Sequence, residues 1–139
     1  MVGILEKDLQ GMEVAKNVYH IRCPFSRPGY FTSSCAIVEK MVTLIDTGTP
    51  TSPQEAILPY LKLLGKGPTD ISRIVLTHAH FDHCGGIAPL KKSDAKVAVH
   101  RLDEPLLRDP LLLNKELNSR FPEIYPLSPK PEYEPTEAD

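Results

Sequence analysis

The chain has 139 residues, 41% of them hydrophobic, with 16 Lys and Arg against 18 Asp and Glu and a net charge of −2. That length suits one domain with a core of useful size. The near-balanced charge gives no electrostatic reason to expect nucleic acid, no apolar run approaches the ~20 residues of a membrane span, and no basic-plus-apolar leader opens the sequence.

In chain order, residues 14–21, 35–38 and 42–45 alternate or run apolar and read as strands, with Glu39-Lys40 as a hairpin turn. Thr51-Ser52-Pro53 then opens a helix, Ser52 as N-cap and Pro53 at its first position. Its apolar residues Ile57, Leu58, Leu61 and Leu64 recur at helical spacing, Gly65 is the stop, and Pro59 bends or restarts it. Ile74-Val75-Leu76 is a continuous apolar run, as in a strand buried on both faces. A short helix over residues 86–90 and a strand over 97–99 follow, so strand–helix–strand units and right-handed crossovers are expected. Residues 102–117 are leucine-rich and helical in pieces, broken by Pro105 and Pro110. From Phe121 the prolines Pro122, Pro126, Pro129, Pro131 and Pro135 forbid a regular helix or central strand. Residues 1–120 therefore form the domain, and 121–139 a proline-rich tail, extended over the surface, with a disordered end.

One segment carries chemistry: Thr77-His78-Ala79-His80-Phe81-Asp82-His83-Cys84-Gly85-Gly86. Three of the five histidines of the chain lie in it. Imidazole and carboxylate are ligands of first choice for zinc and similar divalent metals. His78 and His80, two apart in an extended segment, point the same way. Asp82 and His83 are adjacent and diverge, so a turn can aim them at a second point. The cluster follows the Ile74 strand directly, where functional crevices of open α/β sheets lie. Cys84 reads either as a soft metal contact or as a small buried hydrophobe. His20 and His100 read as ordinary. Tyr30, Phe31 and Phe81 read as pocket lining or as core and rim. Cys23, Cys35 and Cys84 are widely spaced and form no CxxC pair, which suits a reducing cytoplasm.

The cluster His78, His80, Asp82, His83, with Thr77 before it and Gly85-Gly86 after, resembles the metal-binding motif of the metallo-β-lactamase superfamily. Leu44-Ile45-Asp46-Thr47-Gly48 resembles the upstream strand of that family, which ends in an aspartate. The resemblance covers roughly residues 14–100. It implies the N-terminal half of an αββα sandwich, an α/β mixed sheet with flanking helices. It implies a binuclear site, with zinc as the expected metal and iron as the other. His78 and His80 would serve the first metal, Asp82 and His83 the second. Asp82 would also act in catalysis, orienting the bridging water or passing its proton to the leaving group. Asp46 would support the ligand loop from behind; from the sequence it reads equally as a turn residue with Thr47-Gly48.

The family completes both metals with a third histidine, a bridging aspartate and a last histidine from later in the chain. After His83 only His100 remains, and its context does not match. The expectation is therefore an N-terminal half-domain, inactive alone and exposing an apolar sheet face that invites self-association or a second polypeptide segment. The expected activity is zinc-dependent hydrolysis of a small-molecule ester, thioester, lactone or amide. The competing readings are an iron-dependent, persulfide-type oxidoreductase on the same scaffold and an inactive half-domain that binds a partner.

Overall fold

The computed structural model describes residues 11–24, 29–91, 94–128 and 130–139; residues 1–10, where a leader would stand, and Pro129 lie outside the described residues. Six strands form one mixed sheet in chain order: β1 (Gly11–Ala15), β2 (Val18–Pro24), β3 (Phe31–Val38), β4 (Val42–Ile45), β5 (Ile71–Val75) and β6 (Lys96–Ala98). Neighbours from β1 to β4 pair antiparallel, and β4–β5 and β5–β6 pair parallel. Short joins permit only antiparallel neighbours, whereas each parallel pair is bridged by a helical crossover.

The sheet corrects the reading of residues 14–21 as one strand. The chain reverses at Lys16-Asn17, where Asn17 takes a left-handed φ of 63°, a conformation that asparagine tolerates better than most residues. The Glu13 carboxylate accepts from the Asn17 N–H across this turn.

The first crossover holds a wide π turn, Pro53–Ile57, and then α1 (Leu58–Leu63). Ser52 holds the N-cap position, but its dihedrals are helical and its side chain makes no capping bond; its hydroxyl accepts instead from the Thr49 N–H at 2.8 Å. Leu58 N–H reaches back five residues to the Pro53 carbonyl, and Pro59, lacking an N–H, cannot continue that ladder. Gly65, at φ 76°, ends α1. Lys66 N–H bonds to Leu61 O and Gly65 N–H to Lys62 O, the pairing that satisfies the last helical carbonyls. The second crossover contains α2 (Phe81–Cys84) and α3 (Ile87–Leu90).

Among the described residues, helices cover one face of the sheet only. On that face Ala36, Leu44, Ile74 and Val97 stand in register across β3 to β6 and are buried, packed with Ile57, Leu61, Ile87, Leu90 and Leu107. The opposite row runs Met12, His20, Cys35, Ile45, Val75 and Ala98. Met12 is 61% exposed and Val75 38%. β5 is therefore not buried on both faces: among the described residues nothing covers its second side.

After β6 come α4 (Glu104–Arg108) and α5 (Leu112–Arg120), parted near Pro110. The tail has no regular structure, but its end is not loose. The Tyr133 hydroxyl donates to Leu106 O at 2.6 Å. Asp139 N–H donates to Val97 O, while the Asp139 carboxylate accepts from Val97 N–H at 2.8 Å. Those two bonds occupy the otherwise open edge of β6.

Candidate metal centre

β5 ends at Val75, and Leu76, 5% exposed, anchors the chain as it leaves the sheet. The next residues lie at the carboxyl end of the strand. His80 is extended, with φ −100° and ψ 156°, and α2 then carries Asp82 and His83 round one helical turn. The rings of His78 and His80 are 4.6 Å apart between centroids, and those of His78 and His83 are 4.1 Å apart. Asp82 is not an N-cap, since His80 holds that position.

Asp46 stands at the end of the neighbouring strand, β4. It is itself left-handed, φ 63°, and its N–H bonds to Val75 O at 2.9 Å. One carboxylate oxygen, Oδ1, accepts the Thr77 N–H at 2.8 Å. The other, Oδ2, meets Thr77 Oγ1 at 2.7 Å and His83 Nδ1 at 2.8 Å.

This carboxylate sets the tautomers of two histidines. A carboxylate only accepts, so His83 must carry its proton on Nδ1. Thr77 has one hydroxyl proton, and it goes to Asp46. Against His78 Nδ1, 3.0 Å away, the hydroxyl can then only accept, so His78 too is protonated on Nδ1. Both Nε2 atoms are left with bare lone pairs, the form in which imidazole binds a metal. Burial, aided by the His83 and His80 rings beside it, pushes the His78 pKa down, which favours that neutral form.

His83 Nε2 lies 3.5 Å from Asp82 Oδ2. That separation admits a cation held by both atoms. Donors about 2.05 Å from a tetrahedral ion stand roughly 3.4 Å apart, close to the spacing found. On donor chemistry the residues fit a divalent metal. On number they supply part of its shell, for among the described residues no group of three His, Cys, Asp or Glu closes on one point.

Backbone contacts hold α2 in place. Thr47, fully buried, donates from its hydroxyl to His83 O at 2.8 Å and accepts from Gly86 N–H at 3.1 Å. A Cβ on Gly85 would strike the Phe81 carbonyl and Pro50, and one on Gly86 would strike the Thr47 carbonyl. Both positions need glycine for close approach.

Asp103 is a residue that motif reading misses. Its carboxylate accepts from the N–H of Ala79, between the two paired histidines, at 3.1 Å. It lies 24 positions away with no local signal to mark it. Of the other candidates, Cys84 is 2% exposed beside the Tyr133 hydroxyl, and burial raises its pKa to about 12, the environment of a buried hydrophobe. His20 bonds to Ser33 on the open face, and His100 Nδ1 accepts from Leu102 N–H. Phe81 lines a cavity with His80 and Asp82. Tyr30 is 55% exposed and Phe31 46%, the latter under the Arg22 guanidinium at 4.1 Å.

A strand-end aspartate behind a paired-histidine loop, on a sheet with helices on one face, defines a metallo-hydrolase type of half-fold. The sequence profile of the metallo-beta-lactamase superfamily matches residues 28–139, and the chain belongs to that superfamily. It is 36% identical over 93 residues to the uncharacterized protein YobT of Bacillus subtilis, covering 64% of this chain and 38% of YobT. To the "Probable metallo-hydrolase YflN" of the same organism it is 34% identical over 101 residues, covering 71% of this chain and 33% of YflN. Among solved structures, a beta-lactamase from Chitinophaga pinensis superposes with TM-score 0.70 at 29% identity, covering 95% of this chain and 44% of that one. The subclass B3 metallo-beta-lactamase BJP-1 of Bradyrhizobium japonicum superposes with TM-score 0.70 at 24% identity, covering 94% and 44%. The chain thus spans about a third of the length of these curated relatives and under half that of these structures.

Proposed function

We propose that this chain supplies the metal-binding half of a zinc-dependent hydrolase acting on a small-molecule ester, thioester, lactone or amide. The observation that carries this reading is the His83 Nε2–Asp82 Oδ2 pair at 3.5 Å, with His83 fixed from behind by Asp46. His78 and His80 would hold one ion, Asp82 and His83 a second. Zinc bound there lowers the pKa of its water toward neutrality and polarises the substrate carbonyl. The residues do the rest. Asp46 keeps both Nε2 lone pairs facing outward. Asp82 orients the attacking water and takes its proton toward the leaving group. Iron on the same donors, with a persulfide substrate, is separated from this reading by metal content and oxygen consumption.

Among the described residues the set of ligands is incomplete, and on this reading the remaining ones come from elsewhere. The open row from Met12 to Val75 supports completion by a further polypeptide segment or a second copy, and the chain alone should turn over little. Three free thiols, Cys23, Cys35 and Cys84, are compatible with a reducing cytoplasm, and no helix among the described residues is long and apolar enough to cross a membrane. The test is zinc titration with elemental analysis, followed by a thioester and lactone panel. Weak zinc binding lost in His78→Ala and His83→Ala is expected. Zinc binding indifferent to both substitutions overturns the reading. Robust turnover by the chain alone, abolished in His80→Ala, would instead show that the site closes within this chain or by symmetry.

A further inference from the structure

α5 has an unusual feature. It carries Leu112, Leu113 and Leu117, yet none of its residues is buried. Leu113 and Leu117, with Leu111 just before the helix, line a cavity of about 280 Å³ that is also lined by His80, Phe81 and Asp82. The far wall is the tail, and it is built rather than incidental. The Asn114 amide donates to Pro126 O at 3.1 Å and accepts from Ser128 N–H at 2.8 Å. Asn118 donates to Tyr125 O at 2.8 Å. Two asparagines on one helix, satisfied by tail backbone, hold the proline-rich segment off the leucines and keep the space open.

We propose that this cavity receives the apolar acyl or alkyl portion of the substrate, with the reacting carbonyl beside His80 and Asp82 in its lining. This rests on the metal-centre reading, because it is those two residues that make that part of the lining a reaction centre. At about 30 Å³ per heavy atom the space admits roughly nine atoms at most. Its apolar lining of Phe81, Pro110 and the three leucines favours an unbranched or simple aryl group, with Lys130 and Glu132 as the charged residues of the tail side. The substrate class is therefore narrowed, within esters and thioesters, to those of medium-length carboxylic acids.

The experiment uses the zinc-loaded chain with isotope-labelled leucine methyls and the probes acetate, butanoate, hexanoate and octanoate, followed by NMR. Saturable shifts at Leu111, Leu113 and Leu117 are expected. Affinity should rise about fourfold per seated methylene, hence about 16-fold from butanoate to hexanoate. Leu113→Trp, which fills the cavity, should remove that gain, and Asn114→Ala, which frees the tail wall, should reduce it. Affinity independent of chain length, or shifts confined to the open sheet face, overturns the proposal. Hexan-1-ol, which needs no metal, separates the two readings. Hexanol shifts at Leu113 and Leu117 in a chain that fails to bind zinc would sink the metal reading and uphold the cavity as an apolar site. No hexanol shifts in a chain that does bind zinc would sink the cavity alone.

Discussion

Asp46→Asn separates the structural role of Asp46 from its effect on the metal centre. Deleting the carboxylate outright removes three hydrogen bonds, to Thr77 N–H, Thr77 Oγ1 and His83 Nδ1. At about 1.5–3 kcal/mol for each bond to a charged group the sum would be roughly 4.5–9 kcal/mol. The three share one side chain and relax together, so a loss of about 3 kcal/mol is the better expectation for Asp46→Ala. Alanine adds a second cost, since the left-handed backbone at this position disfavours it by about 1–2 kcal/mol; Asp46→Gly removes that component and serves as the control. Asparagine tolerates the backbone and can still accept from Thr77. It has only one acceptor oxygen, and its amide hydrogens face the Nδ1–H of His83. His83 must then rotate or shift its proton to Nε2, which blocks the metal-facing lone pair. Asp46→Asn should therefore recover most of the urea-unfolding stability while zinc affinity, read by competition with a chromophoric chelator at pH 7.5, falls about 10–100-fold. Wild-type zinc affinity in a folded Asp46→Asn chain would refute the tautomer argument and leave Asp46 as a turn residue.

Asp103→Ala should leave the buried Ala79 N–H without its partner at a cost of about 1–3 kcal/mol and loosen the His78–His80 pair, with Asp103→Asn restoring both; equal zinc affinity in all three chains would show that this contact positions nothing. Gly86→Ala forces a Cβ into the Thr47 carbonyl and should destabilise by about 1–3 kcal/mol or more, visible as a lower urea midpoint. Burial raises the Cys23 thiol to about 11 and Cys84 to about 12 from an ordinary 9.0. Above pH 9 the unfolded state therefore holds fewer protons than the folded one. Stability should fall as pH rises from 9 toward 11, by up to about 1.4 kcal/mol per unit for each thiol. Cys23→Ala and Cys84→Ala unfolding curves measured at pH 8 and 10 check this, since each variant should lose part of the alkaline slope.

What was legible in the sequence was the chemistry held within a few positions. His78, His80, Asp82 and His83 stand in six consecutive residues, and the strand before them fixes which way the first two point. What was not legible came from contacts made at a distance. Asp46 is 37 positions from His83; a turn aspartate and a carboxylate that sets tautomers look the same until β4 and β5 lie side by side. Asn114 and Asn118 look like ordinary polar residues of a helix until the tail bonds to them. The missed reversal at Lys16-Asn17 had a different cause. Apolar residues flank it at Val14 and Val18, so alternation carried straight through a turn that only the left-handed asparagine marks. The strand Ile74-Val75-Leu76 misled because an apolar run states how much surface wants burial, not what is present to bury it. Its covered side, at Ile74, lies in one row with Leu44 and Val97 under the helices, and its other side, at Val75, is 38% exposed.

The site is thus a product of the crossover rather than of the motif alone. β4 and β5 run parallel, so their carboxyl ends meet, and the left-handed turn at Asp46 aims its carboxylate at Thr77, the second residue beyond β5. From there one proton on Thr77 and one on each of two histidines are determined in sequence, and two Nε2 lone pairs are left free. A change that shifts β4 against β5 by one residue would leave every motif residue in the chain and still dismantle the centre. Inserting one residue in the β3–β4 hairpin, at Glu39-Lys40, leaves the motif untouched but puts β4 out of phase with β3, turning Leu44 to the open face unless the turn absorbs the extra residue. If the turn absorbs it, zinc affinity should stay at wild type; if β4 shifts, both the core and zinc affinity should be lost together. A chain that loses its native β4 register, by hydrogen exchange, yet keeps wild-type zinc affinity would show that the motif needs no support from Asp46.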